Sequence, residues 1–356
     1  MKENARVVVA MSGGVDSSVA AALLKEQGCD VIGMMLRLWS EPGSEADNRC
    51  CTPDAMAMAR RVAAKLSIPF YAIDARQLFH DTVVQYFYDG YAQGITPNPC
   101  LVCNRQVRWE FLLNHALALG AQYLATGHYT RLAQDAEGRI HILRAVDERK
   151  DQSYVLHVLQ QAQLQHALFP LGEYTKPQVR QLARDFELPV SERGDSQDLC
   201  FIGKEDYRQF LSRRLPQVNQ PGPIRSKSGE LLGEHQGLAF YTIGQRKGLG
   251  IAAPQPLYVL EKQIDENALI VGAAAELGQQ ELTAKEVNWV SGNAPVEPVR
   301  AAVRIRYKAR EVQALVEPLQ DQRVYVRLDD PLRDITPGQA AVFYQGELCL
   351  GGGLIE

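Results

Sequence analysis

The sequence predicts an α/β protein, a doubly wound parallel sheet followed by β-rich structure, on three observations. Short runs of β-formers alternate with helical patterns through the first two hundred or so residues. A glycine–serine loop, SGGVDS at Ser12 to Ser17, breaks the first strand-to-helix step. Beyond Asp206, helical patterns give way to prolines, glycines and alternating apolar runs.

Taken in order, Val7, Val8 and Val9 form the first strand, and the helical pattern after the loop closes near Gly28. Asp30 to Leu36 (DVIGMML) is a near-continuous apolar run, as expected of a strand buried on both faces. Asp54 to Leu66 is alanine-rich and helical, Pro69 to Asp74 a strand, and Leu78 to Tyr91 a helix. Arg105 to Leu119 reads as a helix and Gln122 to Thr126 as a strand ending in Gly127-His128. Ligands of such sheets sit beyond the carboxyl ends of the strands, where both SGGVDS and Gly127-His128 fall. Tyr241 to Ile251 is a basic, glycine-rich turn. From Tyr258 onward, YVLEKQI, ALIVG, RAAVRIRY, VYVRL and AAVFYQ predict an antiparallel barrel or sandwich.

Composition excludes several classes. With 356 residues, 46% hydrophobic and 22% charged, the chain is ordinary globular protein of two or three domains. No apolar run is long enough for a membrane span, and MKENARVVVA reads as loop and strand rather than signal peptide. Seven cysteines without an export signal point to a reducing compartment, hence the cytoplasm, and to thiol chemistry. A net charge of −4 means that nucleic acid would be held by a local basic patch, not by the overall field.

Strand, glycine loop and helix aim free backbone N–H groups at one point, a phosphate cradle. Gly13 and Gly14 admit close approach, Ser12, Ser17 and Ser18 add hydroxyls, and Asp16 is a candidate magnesium ligand beside bound phosphates. The lysine of GxxxxGK[ST] is absent. An ordinary serine-capped turn is the bland alternative. SGGVDS resembles the PP-loop of ATP pyrophosphatases, the adenine nucleotide α-hydrolase-like enzymes that cleave ATP between its α- and β-phosphates.

Thr96 to Asn104 (TPNPCLVCN) presents Cys100 and Cys103 from a proline-stiffened loop. A helix starting just after Cys103, with Arg105 and Arg108 close by, favours thiolate at Cys103, whereas Asp195 and Asp198 disfavour it at Cys200. Structural zinc lacks a second half-site; an iron–sulfur cluster on Cys100, Cys103 and Cys200 is the other metal reading. Cys29, Cys50, Cys51 and Cys349 read as buried hydrophobes, with the adjacent Cys50 and Cys51 open to oxidants.

SGGVDSSVAA, TPNPCLVCN, LATGHY, KDQSYVL, SQDLCFIG and TIGQRKGLG together resemble the tRNA-uridine 2-sulfurtransferases, the bacterial 2-thiouridylases. The resemblance spans most of the chain, in order. It implies a PP-loop catalytic domain over 1–205, a small central domain over 206–275 and a tRNA-contacting C-terminal β-barrel over 276–356. It also implies ATP-dependent adenylation of the wobble-uridine 2-carbonyl, then sulfur delivery from a cysteine persulfide. Cys200 would carry the persulfide and Cys103 would be the partner nucleophile, the pair ending as a disulfide. Ala10, Met11, Ser12, Gly13, Gly14, Val15, Asp16, Ser17, Leu36 and Gly127 match the nucleotide site. Asn98, Pro99 and Cys100 match the loop that meets the target base, with His128 near it. Lys150, Asp151, Gln152, Arg306, Tyr307 and Gln339 match tRNA contacts. A sulfur-relay protein or cysteine desulfurase is the implied donor. Many members have Asp where this chain has Cys100, a change that removes a carboxylate and supplies a third thiol.

In RAAVRIRYKAR, residues Arg300, Arg304, Arg306, Lys308 and Arg310 share one parity, with Val303, Ile305 and Tyr307 on the other. On a strand this is one basic and one core face, with cations about 6.6 Å apart, near the spacing of successive phosphates. Arg213, Arg214, Arg246 and Lys247 are further candidates. Two rivals stand beside this reading. One is a different PP-loop adenylating enzyme, which needs neither the thiols nor a basic barrel. The other is a non-catalytic RNA-binding redox sensor, which leaves SGGVDS unused.

Overall fold

The computed structural model describes residues 4–41, 52–194, 199–203 and 206–356. Cys50, Cys51, Asp195 and Asp198 lie outside the described residues.

Among the described residues seventeen strands follow in chain order. The first four are β1 (Arg6–Ala10), β2 (Asp30–Arg37), β3 (Phe70–Asp74) and β4 (Tyr123–Ala125). Next come the hairpin β5 (Arg131–Gln134) and β6 (Ile140–Leu143), then β7 (Ala167–Leu168). A parallel sheet has the order β3-β2-β1-β4-β7. The chain runs β1 to β3 outward on one side, then returns to place β4 on the other side of β1. The topological switch point therefore lies between β1 and β4, and the two loops at their carboxyl ends, 10–14 and 126–128, border it. As the apolar run of β2 predicts, Val31 to Met35 are all buried. The helices Val15–Glu26, Pro53–Lys65 and Lys176–Asp185 share a cluster with β1 through Val19, Ala59, Val62, Val179 and Ala183.

The central sheet holds β8 (Gly222–Ser226), β9 (Leu231–His235), β10 (Tyr258–Gln263) and β11 (Ala268–Gly272) in the order β10-β11-β8-β9. YVLEKQI and ALIVG thus belong here and not to the barrel, and β11 pairs with β8 in parallel. The C-terminal barrel comprises β12 (Gln279–Trp289), β13 (Val299–Arg304), β14 (Val312–Pro318), β15 (Val324–Leu332), β16 (Ala340–Gln345) and β17 (Leu348–Ile355). It closes through β12 and β17, which removes its edges. Val303, Val316, Val326 and Phe343 fill it, none of them measurably exposed.

One strand pairing crosses what the sequence reads as a boundary. The β5–β6 hairpin leaves the parallel sheet and adds to β17, with Leu143 opposite Leu348 and Ile142 opposite Cys349. The early part of the chain and the last strand are therefore one hydrogen-bonded surface. Among the described residues no helix is long and apolar enough to cross a membrane.

Candidate active site

The first loop is shaped by backbone demands. Gly13 has φ +71°, and a Cβ there would run into the Ala55 carbonyl oxygen. Gly14 is the N-cap of Val15–Glu26 and brings no side chain to its first-turn N–H groups. Serines set the loop's curvature: the Ser12 N–H donates to Ser17 Oγ (3.1 Å), and Ser18 Oγ donates to the Gly14 carbonyl (2.7 Å). Ser12 is exposed, whereas Met11, Gly13, Val15 and Ser17 are buried. Ala10 pairs with Met34, so Leu36 lies two residues on, at the carboxyl end of β2. Gly127 closes the loop from the β4 side: a Cβ there would lie 2.7 Å from Ser17 N.

Asp16, expected beside magnesium, is held by protein groups. Its Oδ1 accepts from Lys176 Nζ (2.6 Å) and from the Tyr129 hydroxyl (2.7 Å). Neither partner carries a local sequence signal, since Lys176 is 160 residues away.

His128 is buried, and its neighbours decide its tautomer. Arg108 Nη1 lies 3.0 Å from Nε2, and a guanidinium only donates, so Nε2 accepts. The proton is then on Nδ1, which donates to Thr126 Oγ1 at 2.8 Å. Burial, helped by the Arg108 charge, pushes this imidazole down to about 3.

The cysteine helix begins earlier than its sequence suggests. Pro99 occupies the first helical position, and Asn98 Oδ1 accepts from the Cys100 N–H (3.2 Å). Helical structure then runs from 99 to 118, with wide i→i+5 turns from Cys103 to Leu112. The thiol nearest the N-terminus is therefore that of exposed Cys100, while Cys103 lies a turn inside and is 8% exposed. Cys103 belongs to a cluster with Phe79, Val107, Phe201 and Ile202, and Cys200 packs against that cluster. Among the described residues no group of three or more His, Cys, Asp or Glu side chains is placed to hold a metal. Cys100, Cys103 and Cys200 do not meet as an iron–sulfur site.

The other candidate residues converge from distant segments. Gln339 Nε2 donates to the Thr96 carbonyl (2.9 Å), tying the barrel to the loop before Asn98. Gln152 exchanges hydrogen bonds with the Tyr129 backbone, receiving its N–H (3.0 Å) and donating to its carbonyl (2.8 Å). The Tyr154 hydroxyl donates to the Ala340 carbonyl (3.0 Å), and its ring lies 6.3 Å from that of Tyr307. Lys150 is half-buried beside these contacts in sequence. Asp151, only 2% exposed, accepts from the Ala145 N–H (3.1 Å), Ser153 Oγ (2.8 Å) and Arg304 Nη1 (3.4 Å). It shapes the segment from within.

The basic row at 300–310 is not a free cationic face. The strand ends at Arg304, and acids from elsewhere answer its charges. Arg300 pairs with Asp329 (2.5 Å), Arg304 with Glu311 (2.5 Å), and Arg306 donates to Thr336 Oγ1 (2.5 Å) and the Ile243 carbonyl (3.1 Å). Strand β15 and the residue after the turn supply the interspersed carboxylates that the run itself lacks. Arg213 and Arg214 are likewise engaged, clasping buried Glu41. Arg246 and Lys247 are exposed beside an open cavity of about 640 Å³ lined by Leu249, Ile251 and Pro254.

Comparison with known proteins covers the whole chain. The family described as "tRNA methyl transferase HUP domain" matches residues 5–204. A "tRNA methyl transferase PRC-barrel domain" matches 208–273, and an "Aminomethyltransferase beta-barrel domain" matches 279–355. The chain is 48% identical to "tRNA-specific 2-thiouridylase MnmA" of Magnetococcus marinus, covering 100% of both. It is 47% identical to the protein of that name in Pelotomaculum thermopropionicum, covering 99% of this chain and 98% of the relative. To "tRNA-specific 2-thiouridylase MnmA 1" of Thermoanaerobacter pseudethanolicus it is 46% identical, covering 100% and 99%.

Proposed function

The chain belongs to the tRNA-specific 2-thiouridylase family, and we propose that it replaces oxygen by sulfur at position 2 of the wobble uridine of tRNA, using ATP. The loop at 10–17, with Leu36 and Gly127 beside it, holds ATP. Its uncapped N–H groups and close-approach glycines suit the phosphates. The uridine 2-oxygen attacks the α-phosphate, the α–β bond breaks, and pyrophosphate leaves with its electron pair. Magnesium, if bound with the nucleotide, would be held beside Asp16 and would offset phosphate charge.

Sulfur comes from a persulfide on Cys200, loaded by a sulfur-relay or desulfurase protein. The Cys103 thiolate attacks the Cys200 sulfur and releases the terminal sulfur as hydrosulfide. That hydrosulfide adds to C2, and AMP departs with the oxygen. The Cys103–Cys200 disulfide left behind takes two electrons from an external thiol before the next turnover. Packing of both cysteines on one apolar cluster is the observation that supports their acting as a pair, and the division of roles between them follows the resemblance. Asn98, Pro99, Cys100 and His128 face the target base in this reading, and His128, neutral at physiological pH, serves as a contact and not as a proton donor. Lys150, Gln152, Arg306, Tyr307 and Gln339 lie along the tRNA, with buried Asp151 ordering the 145–153 segment from within, and the site of action is the cytoplasm.

Mass spectrometry of the wobble uridine after incubation with tRNA, ATP and a persulfide source tests this. Cys103→Ser and Cys200→Ser abolish 2-thiouridine, while Cys100→Ser retains it. Thiolation by Cys200→Ser overturns the assigned carrier.

A further inference from the structure

Three thiols bear on the sulfur step, and they differ in what can reach them. Cys100 is exposed, Cys200 is half-buried and Cys103 is buried. Cys103 sits among Phe79, Val107, Phe201 and Ile202, and Cys200 packs against the same cluster. A disulfide joining Cys103 to Cys200 therefore lies on that apolar cluster. A reductant as large as a protein has little approach to its Cys103 sulfur.

Cys100 stands at the surface on the same helix. It follows the cap Asn98 by two residues, and the backbone from Pro99 to Cys103 is helical. Residues three apart on a helix share a face, with Cβ atoms about 5–6 Å apart. A disulfide needs about 3.5–4.5 Å. That closure falls on a first helical turn, whose N–H groups have no i→i−4 bonds to break. There the Cys100 N–H donates to Asn98 Oδ1 and the Leu101 N–H to the Asn98 carbonyl, both at 3.2 Å. The positive end of the helix favours thiolate at Cys100, the form that attacks a disulfide.

We propose that Cys100 is a further catalytic thiol, which takes the spent disulfide from Cys200 and brings it to the surface for reduction. After the thiolated tRNA leaves, the Cys100 thiolate, its proton given to water, attacks Cys103 Sγ. The Cys103–Cys200 bond breaks with its electron pair on Cys200, freed as thiolate for reloading. This exchange leaves the total oxidation level of the three sulfurs unchanged. A dithiol reductant then attacks exposed Cys100 Sγ, and Cys103 leaves as thiolate. The second thiol of the reductant displaces Cys100; two electrons reach the protein and the reductant becomes a disulfide. The proposal rests on the persulfide reading above.

Disulfide mapping after one turnover without reductant tests it, with acid quenching, alkylation by N-ethylmaleimide and tryptic digestion. Cys100 and Cys103 share the peptide 77–105, and Cys200 lies on 194–204, so the two bridges are distinguishable by mass. Wild type yields mainly 77–105 with an internal bridge and an alkylated Cys200. Cys100→Ser yields the two peptides cross-linked. Product formed with no bridged cysteine sinks the persulfide reading itself. A wild type that yields only the cross-linked pair overturns the relay and leaves that reading standing. Turnover supplies a second readout, taken as the ratio of the steady-state rate to that of the first turnover. With reduced thioredoxin as the dithiol, Cys100→Ser and Cys100→Ala lower this ratio by about tenfold or more, and millimolar dithiothreitol restores it. A ratio unchanged with thioredoxin, or lowered equally with both reductants, overturns the proposal.

Discussion

At the scale of single residues, two buried imidazoles make the protein sensitive to acid. His128 is pushed down to about 3, first by burial and then by Arg108. His157 is pushed down to about 4, first by burial, although the Tyr154 carbonyl accepts from its Nδ1 at 2.7 Å. An unfolded histidine takes its proton near pH 6.5, so below that pH the unfolded chain binds protons that the native state refuses. Stability due to these rings is present above about pH 6.5 and is lost as pH falls toward about 4 and 3. The limiting slope is about 1.4 kcal/mol per pH unit for each ring. Urea unfolding at pH 6.5, 5.5 and 5 measures it. His157→Gln flattens the curve by roughly one such slope, and an unchanged curve would mean that the native ring takes up its proton just as the unfolded one does.

At the scale of elements, the nucleotide loop depends on how closely β4 meets the helix after β1. Gly127 follows β4, and a Cβ on it would press to 2.7 Å from Ser17 N and 2.8 Å from the Asp16 carbonyl carbon. Gly127→Ala therefore pushes the loop helix away from β4 and misaims its N–H groups, while the barrel is untouched. ATP affinity falls by about tenfold or more, and tRNA affinity without ATP is kept; titrations of the two ligands check this. Parallel weakening of both would show that the change propagates through the fold. The cysteine helix teaches a related point. The sequence pattern suggests a helix from Arg105, but Asn98 and Pro99, as cap and first residue, start it six residues earlier. The helix-terminus field consequently favours an anion at Cys100, while Cys103 lies a turn inside among apolar side chains.

At the scale of the whole molecule, the early chain and the barrel are joined by a hairpin and by buried charge. Strand β6 extends β17, and Asp151 reaches Arg304, which shares Glu311 with Arg144. Arg144 also lies over the Tyr344 ring at 3.7 Å. With its side chain 13% exposed, Arg304 belongs to this junction and not to an RNA face. Arg304→Met leaves Asp151 buried without its cation and lowers the unfolding free energy by on the order of 3 kcal/mol. The salt slope of tRNA binding by the folded variant stays the same. Denaturant unfolding and binding at several salt concentrations decide this, and a slope reduced by about one phosphate would assign Arg304 to the RNA.

What was legible in the sequence was local. The apolar run of β2, the glycine loop between β1 and its helix, and the alternation along β13 are consequences of neighbours in the chain, and the structure has them. The parallel sheet and the placement of both loops beyond the ends of β1 and β4 follow from element order alone. Strand ends and helix starts blurred where a cap or turn overrode the apolar pattern, as at Asn98 and after Arg304. What only tertiary structure decided was which charges meet. Lys176 and Asp16 are 160 residues apart, and Arg304 and Asp151 are 153 apart. Periodicity carries no term for such pairs, because an ion pair needs only two charges brought within a few ångströms by elements that pack for apolar reasons. SGGVDS announces phosphate from sequence; the lysine beside it exists only once the helices are packed.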